Sequence, residues 1–305
     1  MLVYAAKRVL LAIAVAFTIS ALVFSLLYMT GDPATALAGE NSTDEAIESL
    51  RKAYGFDRPI YIQYFSWLGN ALQGDFGNSI YFRMPVSELI MDRMPTTMIL
   101  GVLAITFAIV VSIPLGVLAA MYPNSLIDRV SLFMAVVGQA LPSFWFALML
   151  IVLFAFTWPI LPASGSETWR HFVLPTIVLG YYATPAFMRL TRTGMLDVLT
   201  SDYIRTARAK GLRPFTVLFK HALRNAIIPV VSLAAVQFGF MLGGSVIIET
   251  VFALHGAGYL AWESISRSDF PTVQAVLLLF SLLYIVLTFF ADLLNAWLDP
   301  RIRVG

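Results

Sequence analysis

Thr97 to Met121 reads TMILGVLAITFAIVVSIPLGVLAAM, with no Asp, Glu, Lys or Arg anywhere in it. A bilayer core about 30 Å thick is crossed by roughly 20 apolar residues in a helix, the form in which every backbone polar group is paired within its own segment. Five further stretches are equally free of those four residues: Val9 to Met29, Val130 to Trp158, Phe172 to Met188, Ile227 to Ile248 and Val273 to Ala291. The fourth of the six spans, Phe172 to Met188, is the shortest and carries Pro175 and Pro185. Across all 305 residues, 59% are hydrophobic and 12% charged, against about 25% charged in a soluble domain. The expectation is an all-α integral membrane protein with six transmembrane helices.

Lys7 and Arg8 precede the first span, and Ala36-Leu37-Ala38 has the small residues of a signal-peptide cleavage site. The apolar run from Val9 to Met29 nevertheless exceeds the usual signal-peptide core of about 7 to 15 residues, so it reads as a retained anchor. Six spans put both termini on one side. That side carries Lys7, Arg8, Arg129, Arg189, Arg192, Arg205, Arg208, Lys210, Arg213, Lys220, Arg224, Arg301 and Arg303, whereas the short loops opposite carry only Arg170 and Arg267. Cytoplasmic loops hold the excess of Lys and Arg, which places both termini in the cytoplasm.

Residues 30–96 contain several cations but are long enough to cross regardless of charge, and are expected outside. Within them Ser42 and Glu45 have capping-box spacing, Ile47, Leu50 and Ala53 form a stripe, and Gly55 follows as a C-cap, predicting a small helix over the external mouth. The expected division is therefore 1–29 for the N-terminus and first span, 30–96 for an external insertion, and 97–305 for a five-span core with a cytoplasmic loop at about 189–226.

That loop, RLTRTGMLDVLTSDYIRTARAKGLRPFTVLFKHALR from Arg189 to Arg224, is the most basic segment. Asp202 is placed to cap a helix through Tyr203, Ile204 and Ala207, Gly211 to end it in a left-handed conformation, and Pro214 to open the next. On charge alone the segment fits a basic amphipathic surface on anionic lipid, at about 1 kcal/mol per cation. Nucleic acid is a poor partner, because the cations alternate with an apolar stripe beside two spans.

Arg205-Thr206-Ala207, then Gly211, then a stretch ending at Leu223 follow the spacing of the EAA loop of ABC importer permeases. Arg205 and Thr206 stand where that motif has Glu and Ala, and Arg224 where its Pro would fall. The fuller run Asp202 to Leu212 resembles the variant found in dipeptide, oligopeptide and nickel permeases. Similarity extends along the chain: Gly31-Asp32-Pro33, Tyr54 to Pro59, Gln63-Tyr64, Gly74-Asp75-Phe76-Gly77, Leu141-Pro142-Ser143-Phe144-Trp145, Glu249-Thr250-Val251-Phe252 and Asp299-Pro300-Arg301-Ile302-Arg303 look like family positions. His255-Gly256-Ala257-Gly258 replaces the family's Pro-Gly-Leu-Gly.

The resemblance implies the type I importer permease fold, in the cytoplasmic membrane of a bacterium. It also implies a second homologous permease subunit, two ATPase subunits carrying ATP and Mg, and an external solute-binding protein. The solute would be a dipeptide or oligopeptide, with nickel, glutathione or another small solute as the alternative. Tyr203, Ile204, Arg205, Thr206, Ala207, Arg208, Ala209, Lys210, Gly211, Leu212, Arg213 and Pro214 would form the ATPase-coupling loop, with Ala207 and Arg208 presented to the ATPase.

Other chemistry finds little support. The chain has no Cys, no Gly-x-x-x-x-Gly-Lys-Ser/Thr motif and no assembled catalytic constellation, so ATP hydrolysis is expected on partner chains and no cofactor in this one. His221 lacks a second ligand at metal spacing. The six spans hold no carboxylate or Arg, which argues against a proton-coupled carrier. Gln139 and Gln237 are deep amides that either bridge helices or line a wet pathway, and bridging is the commoner role. Pro142 marks a kink or a hinge.

Overall fold

The computed structural model describes residues 2–29, 33–38 and 42–298. Gly31, Asp32, the 299–303 motif and the side chain of Gln139 lie outside the described residues. The helices, in chain order, are α1 (Leu2–Met29), α2 (Pro33–Ala38), α3 (Asp44–Tyr54), α4 (Ile60–Leu72), α5 (Val86–Met121), α6 (Leu126–Ala140), α7 (Ser143–Ile151), α8 (Val173–Leu199), α9 (Asp202–Ala209), α10 (Arg224–Ala226), α11 (Ile228–Val251), α12 (Ala257–Ser266) and α13 (Phe270–Leu298). A π-helical segment, Val152–Thr157, continues α7, and another, Thr216–Leu223, leads into α10.

Among the described residues, four helices can cross a membrane by length and composition: those within Ala5–Ser25, Val86–Met121, Ile228–Val251 and Phe270–Ala296. The other two expected spans are built differently. Val130 to Trp158 is not one helix: Leu141 turns extended at ψ 127° and Pro142 becomes the N-cap of α7. Proline lacks the N–H for an internal helix bond, and it biases the residue before it toward extended backbone. The fourth expected span is part of a helix that continues past Met188 to Leu199, carrying Arg189, Arg192 and Asp197, so the basic loop proper begins near Thr200.

α5 and α8 are the central pair. A Cβ at Gly180 would lie 2.6 Å from the Ala104 carbonyl, and one at Gly116 would lie 2.8 Å from the Met188 carbonyl. Small residues at those two positions allow the backbones to touch, which supplies dispersion contact where lipid offers no hydrophobic drive. Leu100, Ala104 and Ala108 of α5 are buried with Val178, Ala183 and Phe187 of α8, alongside Ala147 of α7 and Val230, Met241 and Ile248 of α11. α5 has 36 residues and is therefore about 54 Å long at 1.5 Å per residue. It exceeds the bilayer core, and Val86, Leu89 and Ile90 of its extra turns pack against α12 and α13.

α1 is peripheral. It touches α13 and α4, with Tyr64 lodged between Phe17 and Phe24 at ring separations of 5.8 and 5.5 Å and its hydroxyl 2.7 Å from Ser20 Oγ. Leu10, Leu11, Ile13 and Leu22 remain exposed, as a lipid-facing stripe requires. Between α2 and α4 the cap of α3 is Thr43, whose hydroxyl accepts from Ala46 N–H, one residue later than the Ser42 box expected. Gly55 closes that helix at φ 70°. α4 and α12 have no counterpart in the expected elements. Glu249, one residue past the expected fifth span, sits in the last turns of α11 and is fully buried.

Candidate functional site

The basic loop holds a short helix clamped by apolar contact. Asp202 opens α9, Ser201 supplies the extended N-cap position, and an Arg205–Asp202 pair at 3.3 Å braces the exposed side. Ile204 and Ala207, three apart and hence on one face, are buried against Val117 and Ala120 of α5, Met195 of α8 and Val217. The expectation that Ala207 is presented outward is therefore corrected. Its methyl group faces the bundle, and the outward face of α9 consists of Arg205, Thr206, Arg208 and Ala209. Burying Ile204 is worth about 2 kcal/mol, and Ala207, on the same face, is buried with it.

Gly211 turns with φ 72°, and Pro214 begins the next helical stretch. An added Cβ at Gly211 would meet nothing within 4 Å, so it is the backbone angle and not crowding that favours glycine here. Lys210, Leu212 and Arg213 are exposed around the turn. Tyr203 is anchored from the other side, its hydroxyl accepting from Asn225 Nδ2 at 2.8 Å.

Two aromatic residues that sequence reasoning passed over complete this surface. Phe215 and Phe219 stack at 4.4 Å while 71% and 43% exposed, and Phe215 with Leu212, Pro214, Leu218 and Arg208 lines a groove of about 500 Å³. Their i,i+4 spacing after Pro214 was the available signal. At the same end Arg192 of α8 donates from Nε and Nη2 to Asp128 of α6, both at 2.7 Å, and Asp128 is buried. These bonds, with the Asn124 N–H, hold the Asp128 carboxyl below the usual carboxylate range against the opposing cost of burial.

Deeper in the bundle, α7, α8 and α11 leave a groove of about 460 Å³ lined by Ser143, Tyr182, Gln237, Phe240, Gly244 and Ile247, among others. Tyr182 and Phe240 are 59% and 61% exposed. Gln237 opens onto this groove. A Cβ on Gly243 would meet nothing within 4 Å, so that side of α11 is unpacked within this chain.

Comparison with known proteins agrees with this arrangement. Residues 112–304 match the family described as binding-protein-dependent transport system inner membrane component, and residues 1–101 match its N-terminal membrane-component family. The chain is 41% identical over 304 residues to the glutathione transport system permease protein GsiC of Escherichia coli strain K12, covering 99% of both chains. GsiC of Shigella boydii serotype 4 is 40% identical over the same share. Among solved structures, the MetNI methionine ABC transporter in an inward-facing conformation aligns with a TM-score of 0.56 at 18% identity, over 69% of this chain and 96% of that one. The chain belongs to the binding-protein-dependent transport system inner membrane component family, as an ABC importer permease.

Proposed function

We propose that the chain is one of two homologous permease subunits that together form the pathway of an importer for short peptides, with glutathione, itself a tripeptide, within its range. The observation that carries the solute class is the 41% identity to glutathione permeases along 99% of both chains. The chain spans the inner membrane six times, with α6 and α7 sharing one crossing. Both termini and α9 are cytoplasmic, and residues 30–96 lie outside. The groove between α8 and α11 faces the second permease, and Gln237 is its polar contact for solute.

One of the two ATPase subunits docks on the outward face of α9 and on the Gly211 to Phe215 turn, where Arg205, Arg208, Lys210 and Arg213 offer charge and Leu212, Pro214 and Phe215 offer apolar contact area. ATP and Mg belong to those subunits and this chain holds no cofactor. An external binding protein delivers solute. Nucleotide-driven closure of the ATPases is transmitted through Ile204, which joins α9 to α5 and α8, and so reaches the groove.

Affinity purification of the tagged chain from a strain carrying the whole importer tests this reading. It should recover a second permease and a nucleotide-hydrolysing component, while the chain alone hydrolyses no ATP. Uptake of labelled glutathione or dipeptide should be lost on deleting the chain. Loss of nickel uptake with peptide uptake unchanged would overturn the solute assignment.

A further inference from the structure

Two buried acidic side chains at the external end play no part in solute contact or ATPase docking. Glu249 of α11 is wholly buried, and its Oε1 accepts from Thr97 Oγ1 of α5 at 2.8 Å and from Ser245 Oγ at 2.9 Å. Oε2 accepts from the Tyr259 N–H at 2.9 Å, and Thr97 Oγ1 accepts in turn from the Ala257 N–H at 2.8 Å. The first amides of a helix have no partner within it and carry partial positive charge. In α12 they are capped from α5 and α11, because Gly256 at the N-cap position makes no side-chain bond.

This accounts for the glycines of His255-Gly256-Ala257-Gly258. A Cβ on Gly256 would collide with Glu249 Oε2 and Thr97 Oγ1, and one on Gly258 would come within 2.9 Å of Val246 Cα. Close approach of the carboxyl group, rather than a positive φ, requires them.

Asp269 closes the other end of α12. Also wholly buried, it accepts at Oδ1 from the Ile80 N–H at 3.0 Å, and at Oδ2 from Ser79 Oγ at 2.5 Å and Thr272 Oγ1 at 2.7 Å. Ser79 Oγ accepts from the Phe82 N–H at 2.8 Å, and the Arg267 guanidinium lies 4.9 Å over the Tyr81 ring. Residues 79–82, nearly two hundred positions earlier in the chain, are thus bound to the start of α13.

We propose that Glu249 and Asp269 are positioning residues that join α12 and residues 79–82 to α5, α11 and α13 as one external plate. The pathway then opens outward by movement of those whole helices, not by a hinged loop. This rests on the reading of the α8–α11 groove as the pathway. A loop held only by apolar contact could swing. One whose amides end on buried carboxyl oxygens must break several directional bonds at once.

The chain has no cysteine, so a single Ser264→Cys reports on the plate, since Ser264 is on α12 and fully buried. Labelling with a membrane-impermeant maleimide from outside should be slow in that parent and faster by at least about tenfold when Glu249→Gln or Thr97→Val is added. Asp128→Asn at the cytoplasmic end should leave the rate unchanged. If Glu249→Gln is not recovered in the membrane, Thr97→Val, which keeps the carboxyl group, is read in its place. Equal labelling in parent and variants would overturn the proposal.

Labelling is repeated in the assembled importer during ATP-driven uptake, where the parent should stay slow. Acceleration on turnover would show α12 swinging by itself and would also overturn the proposal. The resting-state comparison needs neither partner nor solute, so a failure of the transport reading, seen as absent uptake, is separable from it.

Discussion

The two ends of this permease hold their loops by different means. At the α9 end Ile204 and Ala207 are pressed into a hydrophobic recess, with Arg205, Arg208 and Lys210 left exposed. At the α12 end, apolar packing of Ala257, Leu260 and Ala261 is joined by hydrogen bonds to buried Glu249, and the adjoining loop is bound to buried Asp269. Apolar contact is non-directional and tolerates a small slide, whereas a hydrogen bond weakens steeply away from its preferred angle. The α9 loop is suited to passing on motion, and the α12 loop to keeping its shape.

The largest effect should come from removing the external carboxyl group outright. Glu249→Leu leaves the Thr97 hydroxyl and the Tyr259 amide without their acceptor, at about 1–3 kcal/mol for each buried group, while Ser245 keeps the Leu242 carbonyl. Membrane abundance and the unfolding temperature in detergent should both fall sharply. A small change in both would mean that the external end is held by apolar packing like the cytoplasmic one.

Next is Ile204→Ala, which opens a cavity worth about 2–5 kcal/mol at a contact that serves only the loop. ATPase subunits should still co-purify, since the outward face of α9 is untouched, but ATP hydrolysis should no longer drive uptake. Retained uptake would show that Ile204 is not the connection between loop and bundle.

The Asp128–Arg192 pair gives an intermediate effect. A carboxyl group held below its unfolded value of about 3.9 contributes stability that is fully present above that pH and is lost as pH falls through the lower, folded value. Unfolding temperature should therefore be flat with respect to this pair from neutrality down to about pH 4 and drop below it. Asp128→Asn should already be less stable at neutral pH by about 1.5–3 kcal/mol, and its loss on acidification should be smaller than the parent's.

The smallest effect is expected at Gly211. Gly211→Ala meets no neighbour, so only the left-handed backbone opposes it, at about 1 kcal/mol. Gly211→Asn, which tolerates that conformation better, should restore most of the lost uptake. Equal loss from both variants would point to contact with a partner instead of backbone strain.

Much of this was legible in the residues. The runs that became α1, α5, α11 and α13 could be found because a helix in lipid must be long, apolar and uncharged, and Gly211 and Pro214 marked their turn for reasons of backbone geometry alone. What the sequence did not disclose depends on tertiary neighbours. Glu249 stands where a charge usually ends a span, and only the fold brings Thr97 and the α12 amides to it. Ala207 was misplaced because small size suits a close contact on either side of a helix. The spacing to Ile204 was the better guide to its direction. The division of the third span at Pro142 was visible as a kink, but whether α6 and α7 stayed collinear was not.

The central claim is that this permease is driven through the outward face of α9, and one measurement addresses it directly. A thiol-reactive photo-crosslinker is attached to single cysteines introduced into the cysteine-free chain within the assembled importer. Ala209→Cys should cross-link to the ATPase subunit and Leu196→Cys, on the inward side of the same cluster, should not. No ATPase adduct at Ala209, or equal adducts from both positions, would contradict the account.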